Sequence, residues 1–194
     1  MGVTIKIQKE FNIGYDSYSN RITVPWRNVN GKIIGIMGRI NIDDIEDDIP
    51  KWFPIIPFSK SNSLYGFSEN YEYLLENDTI FIGESEKFVL QLASYGYRNS
   101  VCLGGNNLSE YHIKYILGTN PKKIYFCYDE GLDLEVIKRN IERLKPFLKM
   151  KDCNVYSVCD RKNVFLKKNS KNSPSDLGRD AFEKLIKECS LKII

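Results

Sequence analysis

Two acidic groups fall where an alternating strand and helix pattern builds chemistry. Glu84 directly follows the apolar run TIFIG (79–83). Asp129 closes the run KKIYFCYD (122–129), with Glu130 next and Asp133 four residues on. In an α/β sheet, sites form at the carboxyl ends of strands. If these two strands lie side by side, Glu84 and Asp129 converge, and converged carboxylates repel unless a cation sits between them. Hard oxygen ligands with open positions suit Mg²⁺ or Mn²⁺, ions that stabilise charge in phosphoryl transfer. The alternative is that acids following strands merely complement the dipole at a helix N-terminus.

The elements that must position these residues are readable from about residue 78 onward. TIFIG is a short buried strand, and EKFVLQLASYG (86–96) has a helical apolar period ending at Gly96. SVCLGG (100–105) reads as a strand with a glycine turn. SEYHIKYILG (109–118) reads as a helix with Ser109 as N-cap. A third strand (122–129), a helix (132–148), a fourth strand NVYSVC (154–159) and a final helix (180–189) follow. This alternation predicts a parallel sheet with helices on both faces. The first 40 residues read as strands. RITVPW (21–26) and KIIGIMGRI (32–40) are joined through Asn30-Gly31, a hairpin signal. Residues 42–63, rich in Pro, Ser and Asn, read as a functional loop, and 67–77 as a short helix.

Composition limits the function classes. The chain has 194 residues, 42% of them hydrophobic, with 12 Tyr and 10 Phe to fill a core. No apolar window approaches the roughly 18 residues of a membrane span, and no secretory leader pattern opens the chain. The five cysteines form no CxxC and His112 is the only histidine, which argues against a structural zinc site and for reduced thiols in the cytoplasm. His112 reads as structural. Net charge is only +3. Residues 1–40 nevertheless carry Lys6, Lys9, Arg21, Arg27, Lys32 and Arg39 against Glu10 and Asp16, and IDDIEDD (42–48) is sharply acidic. That segregation suggests a basic surface, although charge runs are commonly solvated faces.

The series of segments resembles a known family. IFIGESEKFVLQLASYG, NSVCLGGNNLS and KKIYFCYD resemble the TOPRIM domain of bacterial primases and topoisomerases. Upstream, NRITVPWRNVNGKIIGIMGR, PKWF and FSKSNSLYG resemble the primase-specific region, and SPSDLGRDAFEKLI resembles the primase stretch near the end of the core. The resemblance covers nearly the whole chain in order. It is to the catalytic core of DnaG-type DNA primases, and it implies a TOPRIM-type α/β sheet (77–194) preceded by a strand-rich, basic α+β subdomain (1–76).

The resemblance further implies DNA-templated RNA primer synthesis by metal-dependent nucleotidyl transfer. Glu84 would bind metal or act in proton transfer, and Asp129 would be a Mg²⁺ or Mn²⁺ ligand. Arg21, Arg39, Lys51, Lys60 and Tyr65 would contact template or nucleoside triphosphate, unless the lysines are merely solvated and the arginines form strand-edge salt bridges. Single-stranded DNA and nucleoside triphosphates are the implied partners, with a replicative helicase reached through domains that this chain does not hold. The abrupt start favours an excised fragment over a lean phage or mobile-element version. Three positions depart from the family pattern. Ser85 follows Glu84 where glycine is usual, and Gly131 replaces the second aspartate, so that Glu130 or Asp133 would have to supply an oxygen. Asp176 is what remains of a later acidic pair, beside Ser173 and Ser175. The number of metals is therefore open. The competing functions are a TOPRIM nuclease or topoisomerase fragment, which the primase-like first 75 residues oppose, and a nucleic-acid-binding module without catalysis.

Overall fold

A computed structural model of the chain describes residues 2–42, 49–149 and 151–194. Apart from Ile42, the acidic run expected at 42–48 lies outside the described residues. Two sheets form the frame. The first is antiparallel, in the order β1 (Gly14–Asp16), β2 (Arg21–Arg27), β3 (Ile33–Ile40), β4 (Trp52–Ile56). The second runs β6 (Ser100–Cys102), β5 (Thr79–Gly83), β7 (Lys123–Phe126), β8 (Asn154–Val158), β9 (Ser190–Lys192). Its first four strands are parallel, as the alternation predicts, and β9 adds antiparallel to β8. The helices are α1 (Ile5–Glu10), α2 (Tyr71–Glu76), α3 (Glu86–Ser94), α4 (Glu110–Gly118), α5 (Leu134–Leu148) and α6 (Arg179–Cys189).

The β2–β3 hairpin forms where Asn30-Gly31 predicts it, but with a longer loop. Only Gly31 of that pair has positive φ, and the Asn28 side chain ties the turn by accepting the Asn30 and Lys32 N–H groups, each at 3.0 Å. Three expectations are corrected. The first 40 residues are not all strand: α1 forms because Thr4 caps it and Ile7 and Phe11, four apart, bury on one face. The loop expected over 42–63 contains β4, whose Pro54 is tolerated because β4 is an edge strand. The sheet expected to be parallel ends in the antiparallel β9.

Two apolar clusters hold the fold. One lies among α4, α5 and the strands β5–β8, around Ile80, Ile82, Ile113, Ile124 and Leu144. The other joins Phe11, Trp26 and Met37 to Phe81, Phe88, Leu92 and Phe182, so it runs from the antiparallel sheet into α3 and α6. Each such side chain contributes about 1.5–3 kcal/mol on burial. Helix α1 also reaches α3 through the Thr4 N–H, which donates to Ser94 Oγ at 3.0 Å.

Candidate active site at the carboxyl edge of the parallel sheet

Strands β5 and β7 are hydrogen-bonded neighbours, with Ile82 opposite Phe126. Glu84 and Asp129 therefore leave the same edge side by side, as the sequence anticipates. Glu84 Oε1 accepts the backbone N–H of Asp129 at 2.9 Å. The tight passage from β5 into α3 depends on Gly83, because a Cβ there would stand 2.3 Å from the Phe88 ring. The glycine thus sits one place before the glutamate, and Ser85, with φ −119°, needs no glycine freedom.

The electrostatics match a crowded acidic edge. Burial raises the Glu84 carboxyl above its ordinary value, and the Asp129 N–H partly offsets this. Asp129 is pushed up to about 7, first by burial, then by the charges of Glu84 and Asp176, with Ser173 and Lys87 pulling the other way. Asp176 is held by Lys87, whose Nζ lies 2.5 Å from Oδ1, while its Oδ2 accepts the Ser173 N–H at 3.0 Å. Lys87 was not a sequence candidate. The pairing joins residues distant in the chain and leaves no local signal.

Other candidates lie elsewhere. The Asp133 carboxylate caps α5, accepting the Glu135 N–H at 2.9 Å, so the helix-terminus alternative describes this residue. Glu130 Oε2 faces the Lys171 N–H at 3.3 Å. Arg21, Arg39 and Lys51 gather at one end of the antiparallel sheet, where Arg21 pairs with Ile40 and Arg39 with Trp52. The Arg21 guanidinium is buried and donates to the carbonyls of Pro50 (3.1 Å) and Gly38 (3.2 Å), whereas Lys51 is exposed. Tyr65 is buried against Trp26 and Phe11, and its backbone pairs with Cys102 on the free side of β6. Its hydroxyl finds no hydrogen-bond partner among the described residues.

Lys60 reaches the turn that follows β6 at its carboxyl end. It opens a 3-10 turn (Lys60–Asn62) that runs beside β6, and its ammonium donates to Gly104 O at 3.0 Å. His112 holds that turn. Its Nδ1 accepts the Ser109 N–H at 3.2 Å, so Nε2 carries the proton and donates to Ser63 O (2.9 Å) and Lys60 O (3.1 Å). The structural reading of the lone histidine holds.

Among the described residues, no three His, Cys, Asp or Glu side chains stand together as a ready metal cage. Glu84 and Asp129 still suit Mg²⁺ or Mn²⁺. They are partly buried hard-oxygen groups whose repulsion a cation would relieve, and Mg²⁺ commonly takes one or two carboxylates plus substrate phosphates.

A parallel sheet with paired acids at its carboxyl edge, joined to an antiparallel sheet by a shared core, is the fold of solved primase catalytic cores. In sequence and fold the chain matches the catalytic core of DnaG-type DNA primases. A DNA primase of Legionella pneumophila is 35% identical over 138 residues, covering 69% of this chain and 23% of that protein. A DNA primase domain from Pseudomonas aeruginosa has TM-score 0.71 and 26% identity, covering 96% of this chain and 59% of that one. A DnaG primase catalytic domain bound to single-stranded DNA has TM-score 0.79 at 19% identity, covering 98% and 69%. The chain spans about a quarter of the length of the curated primase it matches at 23% coverage. No family model matches the sequence.

Proposed function

We propose that the chain is the catalytic core of a DNA primase, joining nucleoside triphosphates into short RNA primers on a single-stranded DNA template. The observation that carries this reading is the side-by-side exit of Glu84 and Asp129 from β5 and β7, with Lys60 on the same edge. A divalent cation bound to the acids would supply neutralisation of triphosphate charge. Glu84, its orientation fixed by the Asp129 N–H, and Asp129 would hold that cation. Lys60 would bind the triphosphate as a point charge. The Arg21, Arg39 and Lys51 end of the antiparallel sheet would track the template backbone, with Lys51 contacting phosphate directly and the buried Arg21 shaping the surface. Residues 1–76 would then serve the template and 77–194 the chemistry. A replicative helicase would be engaged through other domains, and the work would be done in the cytoplasm. Among the described residues, no helix is long and apolar enough to cross a membrane.

One observation favours a second reading, a nucleic-acid-binding module without catalysis. Gly131 stands where the family pattern has its second aspartate, the later acidic pair is reduced to Asp176 beside Ser173 and Ser175, and Lys87 already neutralises Asp176. Primer synthesis on a single-stranded template with Mg²⁺ or Mn²⁺, followed by labelled nucleotide incorporation, separates the two. Incorporation that Glu84→Gln and Asp129→Asn each abolish supports the polymerase. Template binding without incorporation by the unaltered chain supports the binding module.

A further inference from the structure

Directly after the acid pair lies a charged side chain that the proposed chemistry does not use. Glu86 opens α3 two residues beyond Glu84, yet it is only 3% exposed. Its Oε1 accepts the indole N–H of Trp26 at 2.9 Å, which reaches across from β2. Burial raises its carboxyl above the ordinary value, and the Lys60 ammonium is the leading influence that opposes the rise. Lys60 in turn lies over the Trp26 ring, 5.7 Å from its centroid, while donating to Gly104 O. Gly104, at φ +67°, leaves the space for this. A Cβ there would meet the Trp26 ring at 2.6 Å and the Lys60 stem at 2.9 Å. Trp26, Glu86, Lys60 and Gly104 thus form one unit that joins the antiparallel sheet, the 3-10 turn, the turn after β6 and the start of α3.

A buried carboxylate with one side-chain donor is costly unless a cation compensates it. A flexible lysine, conversely, loses entropy when confined to one place. The cluster satisfies both needs together. We propose that Glu86 is a positioning residue that, with Trp26, holds the Lys60 ammonium at the turn after β6, on the carboxyl side of the sheet that Glu84 and Asp129 also leave, ready for a triphosphate. The role of the held lysine rests on the primase reading; its placement by Glu86 does not. Glu86 touches no substrate in this scheme. It acts by preorganising Lys60, so its loss weakens nucleotide binding while leaving the carboxylate pair in place.

Two measurements on the full chain test this. The first needs no nucleotide. Lys60 acetylation by a small amine-reactive ester is followed by mass spectrometry in the unaltered chain and in Glu86→Gln, which keeps a side-chain acceptor for Trp26 but removes the charge. The proposal expects Lys60 to react several-fold faster in the variant while other lysines and the melting temperature are unchanged. Equal Lys60 rates overturn it. The second is nucleoside triphosphate affinity with Mn²⁺ for the unaltered chain, Glu86→Gln, Lys60→Ala and the double variant. Glu86→Gln is expected to weaken binding about 5- to 10-fold, and to add nothing once Lys60 is gone. Additive losses would mean that Glu86 acts on folding or elsewhere, and would overturn the proposal. Faster Lys60 labelling combined with no nucleotide binding by the unaltered chain would keep the placement and sink the primase reading.

Discussion

Replacing Asp129 by asparagine removes a charge that its surroundings oppose and keeps its shape. The Asp129 carboxyl stands at about 7 in the fold against an ordinary 3.8. At about 1.4 kcal/mol per pH unit, that difference corresponds to about 4 kcal/mol of strain in the ionised form. Partial solvent screening brings the measurable part to about 1–3 kcal/mol. The sign follows from proton binding. Above pH 7 the folded chain carries the repelled charge and is destabilised. As pH falls from 7 toward 4 the folded carboxyl takes up a proton while the unfolded one stays ionised, so stability rises. Denaturant melts with chelator present should therefore find Asp129→Asn more stable than the unaltered chain at pH 8, with the gap closing by about pH 4. Adding Mn²⁺ at pH 8 should narrow the gap by stabilising the unaltered chain alone. Equal stabilities at pH 8, or a gap that grows on acidification, would refute the account of repulsion among Glu84, Asp129 and Asp176.

Lys87→Met frees Asp176 from its counter-charge, and calorimetry should then show tighter Mn²⁺ binding than in the unaltered chain; unchanged affinity would detach Lys87 from the acidic edge. Arg98→Met removes bonds to Asn70 Oδ1 (2.7 Å), Glu69 O (2.9 Å) and Glu10 (2.6 Å), and should lower unfolding free energy by about 3 kcal/mol. Gly104→Ala forces a side chain into left-handed backbone against Trp26 and Lys60, and should both lower the melting temperature and weaken nucleotide binding. The His112 imidazole is held below its ordinary 6.5 by burial, so its share of stability falls away as pH drops below about 6.5. The stability of His112→Gln relative to the unaltered chain should accordingly improve between pH 7 and 5.

The parallel sheet was legible because its strands are short apolar runs closed by distinct residues, and the adjacency of Glu84 and Asp129 follows once β5 and β7 pair. Helix α1 was not legible. VTIKI alternates apolar and polar residues like a strand, and only the Thr4 cap and the tertiary burial of Ile7 and Phe11 decide otherwise. Pro54 and Pro57 hid β4, since an edge position, which permits proline, cannot be read locally. The short, mostly exposed β9 carries no periodicity to detect. Within the site, Lys87 with Asp176 and Glu86 with Trp26 meet only through the fold. Arg21 reads as a ligand-facing cation in sequence, but its buried bonds to Pro50 and Gly38 are known only from the three-dimensional path of the chain.

The apolar cluster that runs from Phe11 and Trp26 into Phe88 and Phe182 bears on how such a core could be dismantled. A boundary drawn at residue 76 passes through packed aromatic rings. Either half made alone would present that surface to water and invite association with other chains. Denaturation should proceed in a single cooperative step, without a surviving half. Recombination that swaps the template-facing sheet for another would have to exchange the rings of α3 and α6 as well, so the two sheets are expected to travel together as one heritable module.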